Sequence, residues 1–276
     1  MSLVEAIENG RLGSAFEELQ HTVRVEQKRT TAERQAFEAF GRRVRRLAGA
    51  VEQPTSSTVV GDGGTSVSAA IDPFQTERRA TSNTVADVRT AYEETVMSVA
   101  HYDAEYDDTY ATSVHAEFGR EIGAALTRPG WFSTVTVQAL VGKIEQAIAE
   151  REPLETALDR EYRSLETTSD NLRDIEDERR TIASIDFEDE RFGALDAYRV
   201  RIELLSEKSE RIIDSRQSTI HDHSDVYSIG DTPDGFFEYL YESYEPRYPV
   251  LYLGTDVGRK LESTADRILD AIVQNW

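Results

Sequence analysis

Apolar side chains recur at alternating steps of four and three residues along the first part of the chain. This spacing places them on one side of a single helix, from about residue 13 to residue 51, of the kind found in coiled coils. The positions of this seam are Leu12, Phe16, Leu19, Val23, Glu26, Thr30, Glu33, Phe37, Phe40, Val44, Leu47 and Val51. The middle positions are polar, so we expect looser or water-filled packing there, and Pro54 ends the helix.

The same rhythm returns in two long segments of the second half of the chain. A helix is predicted from Ser133 or Thr134 to about residue 185, with a kink at Pro153. A short turn then leads to a helix that ends near residue 220. Because the connection is short and the seams match, we predict an antiparallel coiled-coil hairpin over residues 133–225. The helix of residues 1–53 is expected to add a third helix to this bundle.

The remaining segments have shorter helical patterns. Residues 54–73 are small, polar and glycine-rich, which predicts a flexible linker. Residues 74–132 and 226–276 are expected to pack together as a small helical head. Within it, helices are predicted from Thr84 through Met97, from 103 to 126, and from a cap at Thr255 to the end of the chain. No strand-like alternation is strong enough to indicate a sheet, so the predicted fold class is all-α.

The charge of the chain narrows the range of partners and habitats. Acidic residues number 52 against 31 basic ones, for a formal net charge of -21, and only four of the basic residues are lysines. So negative a field disfavours nucleic acid and anionic membranes as partners. A carboxylate-rich, lysine-poor, cysteine-free chain is typical of a cytoplasm at molar salt, although an acidic protein of a GC-rich mesophile would look similar. With no long apolar run and no signal-like N-terminus, we expect a cytoplasmic protein.

Two histidine clusters are candidates for a divalent metal site, and no other cofactor is expected. The first has His101 with nearby carboxylates and His115, which could share an ion only if the helix turned between them, for example at Asp103. The second has His221 and His223 at the end of a predicted helix. The alternatives are an acidic surface helix for the first pair and histidines that favour a helix C-terminus for the second.

Two further groups are candidate interaction residues. A basic group, made of Arg42, Arg43, Arg45 and Arg46, could bind phosphates. Alternatively, it pairs with acidic neighbours on the long helix, such as Glu176, Asp177 and Glu178, and sets the register of the bundle. The second group consists of tyrosines of the C-terminal segment, and its candidate interaction residues are Tyr239, Tyr241 and Tyr248.

Two segments of the chain resemble a known family. Residues 92–102 read YEETVMSVAHY, and residues 238–241 and 248–251 read EYLY and YPVL. Together they resemble an uncharacterised haloarchaeal family of helical proteins, a domain of unknown function with a Tyr-x-Glu-Thr-Val-Met-x-Val-x-His-Tyr segment. The resemblance covers roughly residues 75–275. It implies the habitat and the helical fold, leaves the activity open, and directs attention to His101 and the tyrosine-rich tail.

No complete catalytic motif can be found in the sequence. We therefore predict a non-enzymatic interaction or scaffold protein of a high-salt cytoplasm, which binds a protein partner or itself through its coiled coil. The alternative is a metal-binding sensor or metal-dependent hydrolase that uses histidines and carboxylates of the head.

Overall fold

The computed structural model describes residues 12–51, 84–128, 133–226 and 235–274, and within these ranges the chain is helical and contains no strand. The all-α prediction is therefore confirmed. The helices are α1 (Leu12–Val51), α2 (84–93), α3 (Tyr102–Glu105), α4 (Tyr110–Thr127), α5 (Thr134–Ala183), α6 (Phe192–Val226), α7 (Gly235–Leu240) and α8 (Pro249–Gln274). A 3-10 helix, Phe187–Asp189, connects α5 to α6. The predicted linker, residues 54–73, lies outside the described residues.

The two longest helices have nearly the predicted boundaries, whereas the last one does not. The hydroxyl of Ser133 accepts a hydrogen bond from the backbone N–H of Thr136 at 3.2 Å, as a residue that caps α5 should. Helix α8 begins six residues before the predicted cap, at Pro249. Proline suits a first helical position because its missing N–H would have no partner there. Thr255 lies inside α8, and its hydroxyl donates to the carbonyl of Leu251 at 2.8 Å.

The segment between α1 and α5 is more broken than its apolar pattern predicts. The helix expected to run through Met97 ends at residue 93, and turns follow to residue 101. The helix expected over 103–126 is divided into α3 and α4, and the break lies at Asp107, with φ 43°, rather than at Asp103. The physical reason is a new helix start, because the side chain of Thr109 caps α4 by accepting from the N–H of Thr112.

The described chain divides into two compact units. Unit 1 contains residues 1–27 and 156–276, and unit 2 contains residues 28–155. Helices α1 and α5 are each divided between the two units. Residues 84–128 belong to unit 2 and α8 belongs to unit 1.

In unit 1, α8 packs closely along α6. A side chain at Gly254 would lie 2.8 Å from Ile213, so a residue without one allows the two helices to approach at this point. The apolar face of α8 is buried here, which is why the C-terminal helix joins this unit. Its buried residues include Leu253, Val257, Leu261 and Ile268.

Helices α5 and α6 are antiparallel neighbours in unit 1. Arg201 pairs with Glu178 near the turn, and Arg216 pairs with Glu161 farther from it. In each pair the two residues lie at about the same distance from the turn, one on each helix, as they do in two antiparallel helices. Gln27 of α1 donates to Asp159 of α5 at 2.7 Å in the same unit.

The core of unit 2 is aromatic. Phe40 and Tyr92 meet edge to face with ring centroids 5.1 Å apart, and Phe118 lies 5.8 Å from Tyr92 and 6.1 Å from Phe40. These rings come from α1, α2 and α4, so aromatic packing holds the short helices against the first helix. Val44, Val88, Val114, Leu140 and Ile144 complete this core.

Candidate functional site

A half-buried carboxylate, Glu33, is at the centre of a polar cluster in unit 2. Its Oε1 lies 3.0 Å from His101 Nε2 and accepts from the hydroxyl of Tyr106 at 3.0 Å. Its Oε2 accepts from Arg151 Nε, also at 3.0 Å. Glu33 is one of the polar positions in the seam of α1, and its carboxylate is in contact with the side chains of three other residues.

The break between α2 and α4 positions the histidine of this cluster. His101 immediately precedes α3, and Glu105 ends that single turn of helix. One ligand atom from each of Glu33, His101 and Glu105 lies within 4.8 Å of the others. This is the only group of potential metal ligands of this kind among the described residues. Each carboxylate already pairs with an arginine, Glu33 with Arg151 and Glu105 with Arg29.

The other histidines proposed as metal ligands are placed differently. His115 Nδ1 lies 2.7 Å from the carbonyl oxygen of Ala111, one turn earlier in α4. Gly123 makes room for its ring, since a side chain there would come within 2.7 Å of it. His221 is exposed on α6 in unit 1, and the side chain of His223 lies outside the described residues. Within the described chain, His101 is thus the one predicted histidine found in a ligand group.

A cavity of about 100 Å³ lies beside Glu33. Three carboxylates and one guanidinium line it, and the rest of the wall is aromatic or aliphatic. The lining residues are Glu33, Phe37, Tyr92, Val96, Val99, Tyr102, Tyr106, Asp108, Ser113, Ala116, Glu117 and Arg151. If all four ionisable groups are charged, the wall carries a net negative charge.

Burial perturbs several acids around this cavity. Burial raises the pKa of Glu117, and the charge of Arg151, whose Nη1 lies 3.3 Å away, opposes that rise only in part. Burial also raises the pKa values of Tyr92, Tyr102 and Tyr106, so their hydroxyls remain protonated at neutral pH. The cavity therefore has neutral phenols beside the partly desolvated carboxyl group of Glu117.

The arginine-rich stretch of α1 pairs within unit 2. Arg43 binds Glu94 at 2.5 Å and Arg45 binds Glu145 at 2.7 Å, while Arg42 lies 3.9 Å from Glu38 and Arg46 is exposed. Of these four arginines, Arg45 is the one shown paired with α5, and its partner is Glu145 rather than a residue of the predicted group 176–178. The residues expected as partners are bound elsewhere, Glu176 by Arg179 and Arg180 and Glu178 by Arg201. Antiparallel packing brings residue 45 opposite residue 145, far from residues 176–178.

The candidate tyrosines have structural contacts in unit 1. Tyr241 is only 2% exposed, and its hydroxyl donates to Glu161, so it is part of the core rather than of a surface. Tyr239 is half exposed and donates to Glu26 at 2.5 Å. Tyr248 is half-buried beside the guanidinium of Arg247.

Unit 1 contains a buried ion pair that the sequence analysis does not predict. Arg216 donates to both oxygens of Glu161 at 2.7 Å, and both side chains are almost wholly buried. Burial by itself lowers the pKa of Arg216, but the charge of Glu161 outweighs it and the guanidinium stays charged. A signal was present, because both residues continue the apolar spacing. Glu161 stands between Leu158 and Leu165, and Arg216 follows Ser209 and Ile212.

The fold and its sites define an all-α protein with polar clusters enclosed between long helices. None of the described helices is both long and apolar enough to cross a membrane. The chain belongs to the family described as Domain of unknown function (DUF7260), whose family model matches residues 14–265. No curated protein and no solved structure matches it. The expected membership of an uncharacterised helical family is confirmed, and any function has to be argued from the structure itself.

Proposed function

We propose that this protein is a non-enzymatic helical interaction protein of a high-salt cytoplasm, which self-associates through exposed apolar side chains of unit 1. The observation behind the proposal is a set of large apolar residues on the surface of α6 and α8. On α6, Val200 is 41% exposed and Leu204 is 47% exposed. On α8, Leu269 is 45% exposed and Val273 is 75% exposed.

Helix geometry supports grouping these side chains. Val200 and Leu204 are one turn apart on α6, and Leu269 and Val273 are one turn apart on α8, so each pair forms a short apolar strip. Helix α8 runs antiparallel to α6, with Gly254 beside Ile213. Arg267 donates to the carbonyl of Ala183, just before the turn that leads into α6. Both strips therefore lie toward the turn end of unit 1.

Charge supports a second copy of this chain as the occupant. Residues 192–216 carry five acidic and five basic side chains, in a chain whose formal net charge is -21. Two such molecules repel each other over most of their surfaces. An apolar and locally neutral strip is where they meet at the lowest electrostatic cost, and molar salt further screens the remaining repulsion.

The test is the oligomeric state of the full chain in molar KCl, measured by sedimentation velocity. We expect a dimer that Leu204→Glu converts to monomer, because a carboxylate would be placed in the proposed contact. Val135→Glu is the matched control, since Val135 is 74% exposed near the start of α5 in unit 2. A wild-type protein that stays monomeric at high concentration, or equal dissociation by both variants, contradicts the proposal.

Metal binding is a second candidate function, as a sensor or as the centre of a hydrolase, and the grouping of Glu33, His101 and Glu105 favours it. Imidazole with carboxylates suits zinc, manganese or iron. An ion would have to compete with Arg29 and Arg151 for the two carboxylates. Titration of untagged protein with Mn²⁺ and Zn²⁺ tests this function. Saturable binding that His101→Asn abolishes supports it, and the absence of binding rejects it.

A further inference from the structure

The cavity beside Glu33 in unit 2 has a composition that the packing of helices does not explain. It holds about 100 Å³, roughly the volume of three water molecules. Glu33, Asp108 and Glu117 bring three carboxylates to its wall against the single guanidinium of Arg151. Partly buried charges of one sign are costly unless an opposite charge lies close by.

The one guanidinium in the wall is largely committed to other contacts. Arg151 donates from Nε to Glu33 at 3.0 Å and from Nη1 to the carbonyl oxygen of Ala147 at 2.9 Å. Its contact with Glu117, at 3.3 Å, is the longest of the three. It also lies over the ring of Phe37, at 4.4 Å from the centroid. Glu117 therefore shares a positive charge that Glu33 holds more closely.

A second and independent observation is an orphaned hydroxyl in the same wall. Tyr102 lines the cavity and is 5% exposed, and its buried hydroxyl has no hydrogen-bond partner among the described residues. The neighbouring hydroxyl of Ser113 is bonded to Tyr92 at 2.8 Å. A buried phenol without a partner costs free energy, which a ligand with an N–H to donate would recover.

The apolar part of the cavity wall determines which kind of cation is suited to it. Aromatic rings and small aliphatic side chains, those of Phe37, Tyr92, Tyr106, Val96, Val99 and Ala116, cover most of it. Calcium and magnesium bind oxygen atoms of carboxylates, carbonyls and water, and the apolar part of the wall offers them no ligand. An organic ammonium ion is suited to it, because its methyl or methylene groups pack on aromatic faces while its charge pairs with carboxylates.

We propose that this cavity binds a small organic ammonium ion, with Glu117 and Asp108 supplying the opposite charge and the hydroxyl of Tyr102 accepting an N–H. The aromatic rings around it hold the alkyl part. This site is separate from the apolar strips of α6 and α8 and uses other residues. It would make unit 2 a receptor for an amine.

The experiment titrates the full chain with methylammonium chloride and with tetramethylammonium chloride by calorimetry, at an ionic strength held constant with KCl. Both ions should bind saturably. Glu117→Gln should weaken both at least tenfold, because it removes a charge and keeps the shape of the side chain. Asp108→Asn is the second variant, in case the first fails to fold. Tyr102→Phe should weaken methylammonium alone, since tetramethylammonium has no N–H to donate.

The matched control is Glu121→Gln, which removes the same charge from an exposed residue four positions further along the chain, beyond the non-helical Gly119. Its binding should equal that of the wild type. The proposal is overturned if neither ammonium ion binds saturably. It is also overturned if Glu121→Gln weakens binding as much as Glu117→Gln does. A third contrary result would be that Mn²⁺ binds and displaces both ammonium ions, while Glu117→Gln leaves the affinity for these ions unchanged.

Discussion

Each unit of the molecule has charged groups enclosed by helices, and the two clusters are built differently. In unit 1, Glu161 binds both Arg216 and Tyr241 in a space closed to solvent, with side chains that are at most a few per cent exposed. In unit 2, Glu33, Arg151 and Glu117 are half-buried, have unequal contacts and line a cavity. A closed pair fixes helix packing, whereas an open cluster with surplus carboxylates can exchange partners.

Of the substitutions that test this contrast, Glu161→Gln should change the free energy of unfolding most. It leaves the guanidinium of Arg216 buried without its counter-charge, which should cost about 3–5 kcal/mol of unfolding free energy. Urea denaturation in molar KCl measures it. The control is Glu178→Gln at the exposed pair with Arg201, which should cost no more than about 1 kcal/mol. Similar losses in the two variants would mean that the closed cluster is no more important than a surface pair.

A smaller loss is expected from Glu33→Gln in unit 2. The amide can still accept one hydrogen bond, but Arg151 loses its closest carboxylate, and we expect a loss of about 1–3 kcal/mol. Glu38→Gln, on the same helix and at more exposed ion pairs, is the control and should change stability by less than about 1 kcal/mol. If Glu33→Gln costs as much as Glu161→Gln, the two clusters do not differ in the way described.

Glu176 of unit 1 and Glu117 of unit 2 should give opposite pH dependences. Burial alone would raise the pKa of Glu176, but hydrogen bonds from Arg179 and Arg180 lower it below the ordinary value. Its stabilising contribution is therefore complete above the ordinary carboxyl pKa and is lost as pH falls through the lowered value. The pKa of Glu117 is raised, mainly by burial, so the folded chain binds that proton more tightly and gains stability as pH falls toward the ordinary value.

Chemical denaturation at a series of pH values, from neutral to about pH 3, measures both effects. Glu176→Gln should flatten the acid loss of stability, and Glu117→Gln should remove a gain and so steepen the net acid loss. If both substitutions change the slope in the same direction, the assigned pKa shifts are wrong for at least one of them.

The smallest expected effect concerns buried hydroxyls. Ser209 is 1% exposed in unit 1, and its hydroxyl has no partner among the described residues, so Ser209→Ala should stabilise the fold by up to about 1 kcal/mol. Ser113 in unit 2 is the contrasting case, because its hydroxyl is bonded to Tyr92. Ser113→Ala should destabilise by about 1 kcal/mol. Thermal unfolding of both variants would show whether the signs differ.

Much of the helical framework could be predicted from the sequence, and the short elements could not. Helix α1 follows its four-three seam from Leu12 to Val51, and α5 begins at the predicted cap. The break at Asp107 does not follow from the sequence, because an apolar spacing persists across it, and the predicted start of α8 is too late because Thr255 resembles a cap. Helix propensity and apolar spacing are properties of one helix at a time. They do not distinguish a threonine that caps a helix from one that lies within it.

The candidate site was only partly predictable. His101 was identified, but its partner Glu33 lies 68 residues away in the chain, and Arg151 lies 118 residues from Glu33. The sequence shows Glu33 as a polar position in a seam but does not indicate which residues face it. His115 and His221 were equally plausible from sequence, and only the packing distinguished them.

The sequence by itself determined that this chain is helical, acidic and able to bury one seam on each long helix, because periodicity and charge are local properties of the residue order. The tertiary structure decided which seams meet and in which register. That choice placed Arg45 opposite Glu145, joined Arg216 to Glu161 and gathered carboxylates around a cavity. The physical reason is that many registers can satisfy a repeating apolar pattern, whereas a few charged and aromatic contacts between distant residues are compatible with only one of them.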